Sequence, residues 1–151
     1  MIASWTAGLE DLAKIARVVA EHLLNTSSRP FVLWLSGDLG AGKTTFAKEL
    51  MHALGVPKNV PVLSPTYTYM TEYDSTSGLL AHMDLYRLVD GDLDSVEMLL
   101  SGRSFSGLII EWPERARQSS LIEKTAELNF LILSDKQDGD AELRRQISMS
   151  H

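Results

Sequence analysis

The stretch of the chain best suited to chemistry runs from Gly37 to Thr44. Its sequence, GDLGAGKT, fits the pattern G-x-x-x-x-G-K-[ST] of a loop that holds the phosphates of a nucleotide. The glycines let successive backbone N–H groups turn toward one anion without obstruction from Cβ atoms. Lys43 supplies a mobile positive charge for the β- and γ-phosphates, and Thr44 offers a hydroxyl to a magnesium ion. We therefore expect a nucleotide to be bound by Asp38, Leu39, Gly40, Ala41, Gly42, Lys43, Thr44 and Thr45.

The segments on either side of this loop predict a strand before it and a helix after it. Phe31–Leu35 is a continuous apolar run, as expected of a strand that is buried on both faces. After the loop, apolar residues recur at helical spacing until Gly55 and Pro57, which favour the end of a helix. These apolar residues are Phe46, Ala47, Leu50, Met51 and Leu54. The positive end of such a helix dipole would face the phosphates, and this context argues against a chance match to the motif.

Two acidic residues stand at the ends of predicted strands farther along the chain. Asp84 ends the strand that follows a predicted hairpin turn at Asp74–Gly78, and Glu111 ends the apolar run Leu108–Glu111. Nucleotide hydrolases place a magnesium-binding or water-positioning carboxylate at such strand ends. Magnesium takes few protein ligands, typically one hydroxyl and one carboxylate. The sequence therefore predicts that Thr44 and at least one of the two acids serve the metal and catalysis, and it leaves open which acid binds directly.

Three residues near these acids have both a functional and a structural interpretation. Thr66 lies in the proline-containing segment Val60–Tyr69 and is either a switch residue that senses the γ-phosphate or an ordinary strand residue. His82 shares a strand face with Asp84, and we expect it to be a structural histidine and not a metal ligand. Trp112 is either a core anchor or a cover that excludes water from the site.

The remaining segments complete an α/β pattern. Leu9–Leu23 carries apolar residues on one helical face, with Thr6 as a candidate cap, and we expect this helix to pack against the edge of the sheet. The acidic segment Asp90–Gly102 predicts a short helix, and Glu127–Leu133 predicts a strand. The tail Glu142–Met149 is suited to a further strand at the edge of the sheet. The hairpin makes part of the sheet antiparallel, unlike that of a purely doubly wound fold.

Composition limits the class of protein. A chain of 151 residues with 44% apolar content suits one well-buried domain, so we expect a single domain over residues 1–151. The lack of cysteine excludes disulfides and cysteine nucleophiles. No basic leader or long apolar run indicates a membrane segment, which favours the cytoplasm. The net charge of −6 argues against autonomous binding of RNA or DNA. We expect Arg115 with Arg117, and Arg144 with Arg145, to be solvated surface or partner contacts.

The sequence favours ATP over GTP as the nucleotide. A GTPase would carry D-x-x-G after a strand, whereas Leu85–Arg87 follows Asp84 without a glycine. Asp135–Asp138 reads DKQD, one residue away from the guanine-binding pattern N-K-x-D, but the aspartate in first position removes the amide that such sites use. A small-metabolite kinase would need a lid with arginines, and Arg103 is isolated. Kinase activity on a small metabolite is therefore kept only as a less favoured hypothesis.

Four motifs follow one another in a distinctive order. They are GDLGAGKTT at Gly37–Thr45, SPTYT at Ser64–Thr68, HMDLYRL at His82–Leu88 and EWP at Glu111–Pro113. Together they closely resemble the TsaE family, the bacterial ATPases of tRNA threonylcarbamoyladenosine biosynthesis, over roughly residues 5–133. The resemblance implies an α/β fold. This would be a single three-layer P-loop NTPase-like domain, whose mixed sheet combines a parallel core with an antiparallel hairpin.

The same resemblance implies cofactors, partners and roles. It implies weak hydrolysis of ATP with Mg²⁺ in support of TsaD and TsaB, which modify adenosine 37 of tRNA, with the tRNA reached only through that complex. It assigns phosphate binding to Lys43, magnesium to Thr44, the switch loop to Thr66, hydrolysis to Asp84 and a second magnesium contact to Glu111. A second hypothesis is a nucleotide-gated interaction module, in which ATP orders Ser64–Tyr69 for docking and hydrolysis is incidental.

Overall fold

A seven-stranded sheet forms the centre of the computed structural model, which describes residues 1–26, 30–89, 91–133 and 143–151. Its strands are β1 (Ala3–Ala7), β2 (Phe31–Gly37), β3 (Met70–Ser75), β4 (Gly78–Asp84), β5 (Gly107–Glu111), β6 (Ala126–Leu133) and β7 (Arg144–Ser150). The helices are α1 (Leu12–Thr26), α2 (Lys43–Ala53) and α3 (Leu93–Leu100), with two short 3-10 helices at Pro113–Ala116 and Ser120–Ile122.

The strand order, β1-β7-β6-β2-β5-β4-β3, makes the sheet mixed. Strand β2 pairs in parallel with both β5 and β6, and β5 pairs in parallel with β4. The pairs β3–β4, β6–β7 and β1–β7 are antiparallel. The predicted parallel core and antiparallel hairpin are therefore confirmed. Because parallel strands end at the same edge, β2, β4 and β5 bring the loop and both strand-end acids together.

Alternation along β2 places a hydrophobic layer on each face of the sheet. Leu33 and Leu35 belong to a core shared with α1 and α2, whereas Val32 and Trp34 belong to a second core shared with α3 and the 3-10 helices. Val96 is the buried anchor of α3 in that second core. Helices on both faces of one sheet give the three layers that were predicted.

The N-terminal region differs from the sequence prediction in two respects. Ala3–Ala7 forms an edge strand that was not predicted, so Thr6 lies in this strand and does not cap α1. Helix α1 packs against α2 on one sheet face instead of against the sheet edge, because its apolar face completes the layer that α2 begins. The predicted face of α1 is buried at Leu12, Ala16, Val19, Ala20 and Leu23. Leu9 precedes the helix and is 52% exposed.

The C-terminal strand also differs from its prediction. It lies between β1 and β6, so β7 is an inner strand and the edge position belongs to β1. Asp135–Asp138, which differ by one residue from the guanine-binding pattern, lie outside the described residues, as does the start of the predicted tail at Glu142. In the ranges that are described, no helix has both the length and the apolar character needed to span a bilayer.

Candidate nucleotide-binding site

The loop between β2 and α2 has the backbone of an anion cradle. Gly40 and Gly42 have φ angles of 79° and 98°, in the left-handed region that favours glycine. Gly42 is the N-cap of α2 and makes no side-chain capping bond, so the first helical N–H groups are left for another acceptor. A bound phosphate would satisfy these donors at the positive end of the helix dipole.

The Lys43 side chain lies inside this cradle and is fixed there by hydrogen bonds to the loop backbone. Its side chain is buried, and its Nζ donates hydrogen bonds to the carbonyl oxygens of Gly37 and Asp38, the latter at 2.8 Å. The ammonium also lies 4.0 Å from the ring centroid of Trp112. Burial lowers the pKa of the Lys43 ammonium, and the negative charge of Glu111 partly opposes that shift. A phosphate that replaced the two carbonyls would give this charge a stronger partner.

Glu111 connects the loop with the neighbouring strand. Its side chain is 2% exposed, and its Oε2 accepts a hydrogen bond from the Thr44 hydroxyl at 2.8 Å. Its Oε1 lies 2.8 Å from Nε2 of His82, which is fully buried on β4. His82 is therefore in direct contact with a site carboxylate, a contact that the sequence interpretation of this residue as structural did not include. The three side chains form a connected polar chain at the tips of α2, β4 and β5.

Asp84 is paired with the loop that precedes β3. Its Oδ2 accepts a hydrogen bond from the Thr66 hydroxyl at 2.8 Å, and its Oδ1 accepts one from the Tyr86 N–H at 2.9 Å. Thr66 also lies 2.7 Å from the Ser64 hydroxyl. Because β3 begins only at Met70, Thr66 is a loop residue and not a residue of the strand. Register pairs Asp84 directly with Glu111, so the two acids end adjacent strands.

An open cavity of about 510 Å³ joins these features. Most of the residues predicted for the site line this cavity: Leu39, Gly40, Gly42, Lys43, Thr44, Thr45, Thr66, Asp84 and Glu111. Asp38 and Ala41 are not part of the lining: Asp38 contributes its carbonyl to Lys43, and Ala41 is fully buried. Trp112 packs against the second core, as one of its two interpretations expects, and it also lines the cavity. Its role as a cover that excludes water stays a prediction.

The oxygen atoms at the β5 end of the cavity suit a magnesium ion. Thr44 and Glu111 offer a hydroxyl and a carboxylate 2.8 Å apart, with Asp84 on the adjacent strand. Magnesium prefers oxygen ligands and binds through one or two protein groups together with phosphate oxygens and water. No cluster of three or more His, Cys, Asp or Glu side chains able to cage a metal is found in the part of the chain that the structure describes. The donor set therefore fits a magnesium ion that is shared with phosphates.

The sequence interpretation did not include five residues that line this cavity, namely Leu9, Tyr86, Arg87, Leu143 and Arg145. Arg145 was predicted to be solvated surface or a partner contact, but it is 1% exposed and lines the cavity with Leu9 and Leu143. The signal lies in the alternation of β7, where Arg145, Ile147 and Met149 share the buried face. Arg144 lies on the opposite, exposed side, as predicted.

A buried parallel strand, a glycine-rich loop and a helix whose N-terminus has no side-chain capping bond define a P-loop protein. The model of one P-loop family, threonylcarbamoyl adenosine biosynthesis protein TsaE, matches residues 7–146. The chain belongs to the TsaE family. The site motifs and the fold thus agree with the resemblance read from the sequence.

Individual relatives support the same assignment. The chain is 41% identical to the tRNA threonylcarbamoyladenosine biosynthesis protein TsaE of Aquifex aeolicus, over 75% of this chain and 77% of the relative. It is 34% identical to that of Haemophilus influenzae, over 70% of this chain and 67% of the relative. The crystal structure of YdiB from Bacillus subtilis aligns with a TM-score of 0.62 and 28% identity, over 96% of this chain and 83% of YdiB. The chain is therefore a member of a family of tRNA threonylcarbamoyladenosine biosynthesis.

Proposed function

We propose that this protein binds ATP with Mg²⁺ and hydrolyses it slowly, in support of the tRNA threonylcarbamoyladenosine modification carried out with TsaD and TsaB. The observation that supports this most is the pair of hydroxyl–carboxylate contacts beside the phosphate loop, Thr44 with Glu111 and Thr66 with Asp84. Thr44 with Glu111 suits the binding of a magnesium ion, and Thr66 with Asp84 suits the orientation of the attacking water molecule. The protein would act in the cytoplasm as a single domain and reach tRNA only through its partners.

The phosphate chain would occupy the cradle between Gly40 and Thr45. Backbone N–H groups of the loop and of the first turn of α2 would donate to its oxygens, and Lys43 would exchange its carbonyl acceptors for the β- and γ-phosphates. Thr44 and Glu111 would hold the magnesium ion. When bound, this ion supplies positive charge to the β- and γ-phosphate oxygens, where negative charge develops.

Hydrolysis needs a water molecule in line with the bond that breaks. We assign the orientation of this water to Asp84, whose Oδ2 is fixed by the Thr66 hydroxyl. The water oxygen forms a bond to the γ-phosphorus while the bond from that phosphorus to the bridging oxygen breaks. The products are ADP and phosphate, and the released proton passes to a phosphate oxygen or to Asp84. Lys43 stabilises the charge on the phosphates during this step.

Steady-state turnover tests this function. The purified chain should hydrolyse ATP slowly, and the rate should rise when TsaD and TsaB are added. Asp84→Ala should leave ADP affinity largely intact and reduce turnover by on the order of 100-fold. A rate that stays the same on mixing with both partners would contradict the partner-dependent role. A turnover in Asp84→Ala equal to that of the wild type would contradict the assignment of Asp84.

The alternative, a nucleotide-gated interaction module, is favoured by one observation. Tyr67 in the loop beside Thr66 is 81% exposed, and the Arg87 guanidinium stacks 4.4 Å from its ring centroid. An exposed aromatic residue next to a nucleotide sensor suits docking of a partner. The two functions differ in one outcome. If the module is correct, Asp84→Ala should still support modification through many cycles, because hydrolysis is incidental.

A further inference from the structure

Arg145 places a buried guanidinium at the cavity. Its side chain is 1% exposed, and among the described residues neither Nε nor Nη1 has a hydrogen-bond acceptor. Among the residues that the structure describes, no carboxylate forms an ion pair with it. Leaving two guanidinium nitrogens buried without acceptors is unfavourable, because these donors have lost their hydrogen bonds to water. An arginine kept in this state suits an acceptor that comes from outside the chain.

The guanidinium lies against the phosphate loop. Its Nε is 3.5 Å from the point at which a Cβ on Gly42 would stand, and Gly42 is the N-cap of α2. Arg145 also lines the same cavity as Lys43 and Thr44. The unpartnered donors are thus next to the helix N-terminus, where an anion is already favoured.

The sheet order shows which end of a nucleotide would meet this residue. Strand β2 carries the loop, β5 and β4 carry Glu111 and Asp84 on one side of it, and β6 and β7 lie on the other side. The metal and the terminal phosphates belong with the carboxylates, so the α-phosphate and nucleoside belong on the side of Arg145. Leu9 and Leu143, which are 52% and 47% exposed in the cavity lining, offer apolar surface to a nucleobase on that side.

We propose that Arg145 is a nucleotide ligand whose guanidinium donates hydrogen bonds to the α-phosphate. This inference rests on the proposed nucleotide binding and adds a contact outside the loop motif. Charge-assisted bonds from arginine to phosphate are strong and directional, and the planar guanidinium matches two phosphate oxygens. Arg145 would then bind the α-phosphate, and Lys43 would bind the β- and γ-phosphates.

The test compares ADP binding by the full chain and by Arg145→Met. Methionine keeps an apolar stem on the buried face of β7 and removes only the charged head. Titration calorimetry should show ADP affinity reduced by about 10- to 100-fold. The ³¹P NMR resonance of the α-phosphorus in bound ADP should move relative to the wild-type complex, while that of the β-phosphorus stays in place. Thermal unfolding of the nucleotide-free variant should occur at the same or a higher temperature, since an unpaired buried charge is gone.

Arg144→Met is the matched control, because Arg144 is the neighbouring residue on the exposed side of the same strand. It should leave ADP affinity and both phosphorus resonances unchanged. Wild-type affinity and an unmoved α-phosphorus resonance in Arg145→Met would overturn the inference. If that variant does not fold, Arg145→Lys replaces it: intermediate affinity with a moved α-phosphorus resonance supports the contact, and values equal to the wild type overturn it. Failure of the wild type itself to bind ADP would instead overturn the proposed function.

Discussion

At the scale of single residues, the site consists of polar side chains that are hydrogen-bonded to one another. Glu111 is bonded to Thr44 and to His82, and Asp84 is bonded to Thr66. All of these bonds join residues far apart in the chain, so they depend on the fold. Pre-formed contacts of this kind fix the carboxylates in place, which reduces the reorganisation that catalysis needs.

Thr66→Val should separate the orientation of Asp84 from nucleotide binding. Valine keeps the shape of threonine and removes the hydroxyl that donates to Asp84 Oδ2. We expect turnover to fall by about tenfold or more while ADP affinity changes by less than about threefold. Thr68→Val is the control, since Thr68 is an exposed residue of the same loop. Equal turnover in the two variants would contradict a role for Thr66.

His82→Ala should weaken the site through Glu111. The substitution removes the imidazole that contacts Glu111 Oε1, so this buried oxygen loses its contact with His82 Nε2. We expect the free energy of unfolding to fall by about 1–3 kcal/mol and turnover to fall with it. His82→Gln, whose amide can donate to the same oxygen, should recover part of both quantities. Denaturant unfolding and steady-state kinetics measure the two effects. A fully active, fully stable His82→Ala protein would show that Glu111 does not need this contact.

At the scale of secondary-structure elements, β2 is tied to both of its parallel neighbours, and these contacts position the loop that follows it. On the β6 side, Glu127 accepts hydrogen bonds from Ser36 at 2.7 Å and from Lys124. On the β5 side, Gly107 faces the ring of Phe31 with no room for a side chain. Each contact predicts a separate effect on stability.

Glu127 should make stability depend on acid pH. Partial burial raises the pKa of its carboxyl, but the hydrogen bonds from Lys124 and Ser36 outweigh this and leave the pKa below its usual range. A folded-state pKa below the unfolded value stabilises the protein above the unfolded pKa of 4.5, and the contribution is lost as the pH falls through the folded value. Unfolding temperatures measured across this range should show a smaller acid loss in Glu127→Gln. Glu123→Gln, at an exposed neighbouring position, should behave like the wild type.

Gly107→Ala should destabilise the start of β5. An added Cβ would lie 2.2 Å from Cζ of Phe31, which is fully buried and cannot swing aside without repacking the core. We expect a loss of about 1–3 kcal/mol in the free energy of unfolding. Gly8→Ala is the control, because the atoms nearest to its Cβ would be those at the end of the flexible Glu10 side chain. Chemical denaturation of the two variants should give a clear difference, and similar midpoints would argue against tight packing between β2 and β5.

At the scale of the whole molecule, the sequence predicts the site-bearing half of the fold better than the flanking half. Three local signals predict the strand, loop and helix that carry the site: the apolar run of β2, the glycines of the loop and the helical spacing of α2. Strand β1 was missed although Ala3, Trp5 and Ala7 alternate with polar residues, because the segment is only five residues long and two of its three apolar side chains are small. It pairs with β7, which lies at the other end of the chain. The position of β7 between β1 and β6 likewise depends on long-range strand pairing, and only that position turns the alternation of β7 into burial of Arg145.

The most direct test of the nucleotide site is titration calorimetry of the wild-type chain and Lys43→Ala with ATP in the presence of Mg²⁺. The wild type should bind one nucleotide per chain. Lys43→Ala should lose on the order of 100-fold in affinity or more, because its charge is the one that the loop directs at the β- and γ-phosphates. No measurable binding by the wild type, or equal affinities for the two proteins, would contradict the claim that this cavity is a magnesium–nucleotide site.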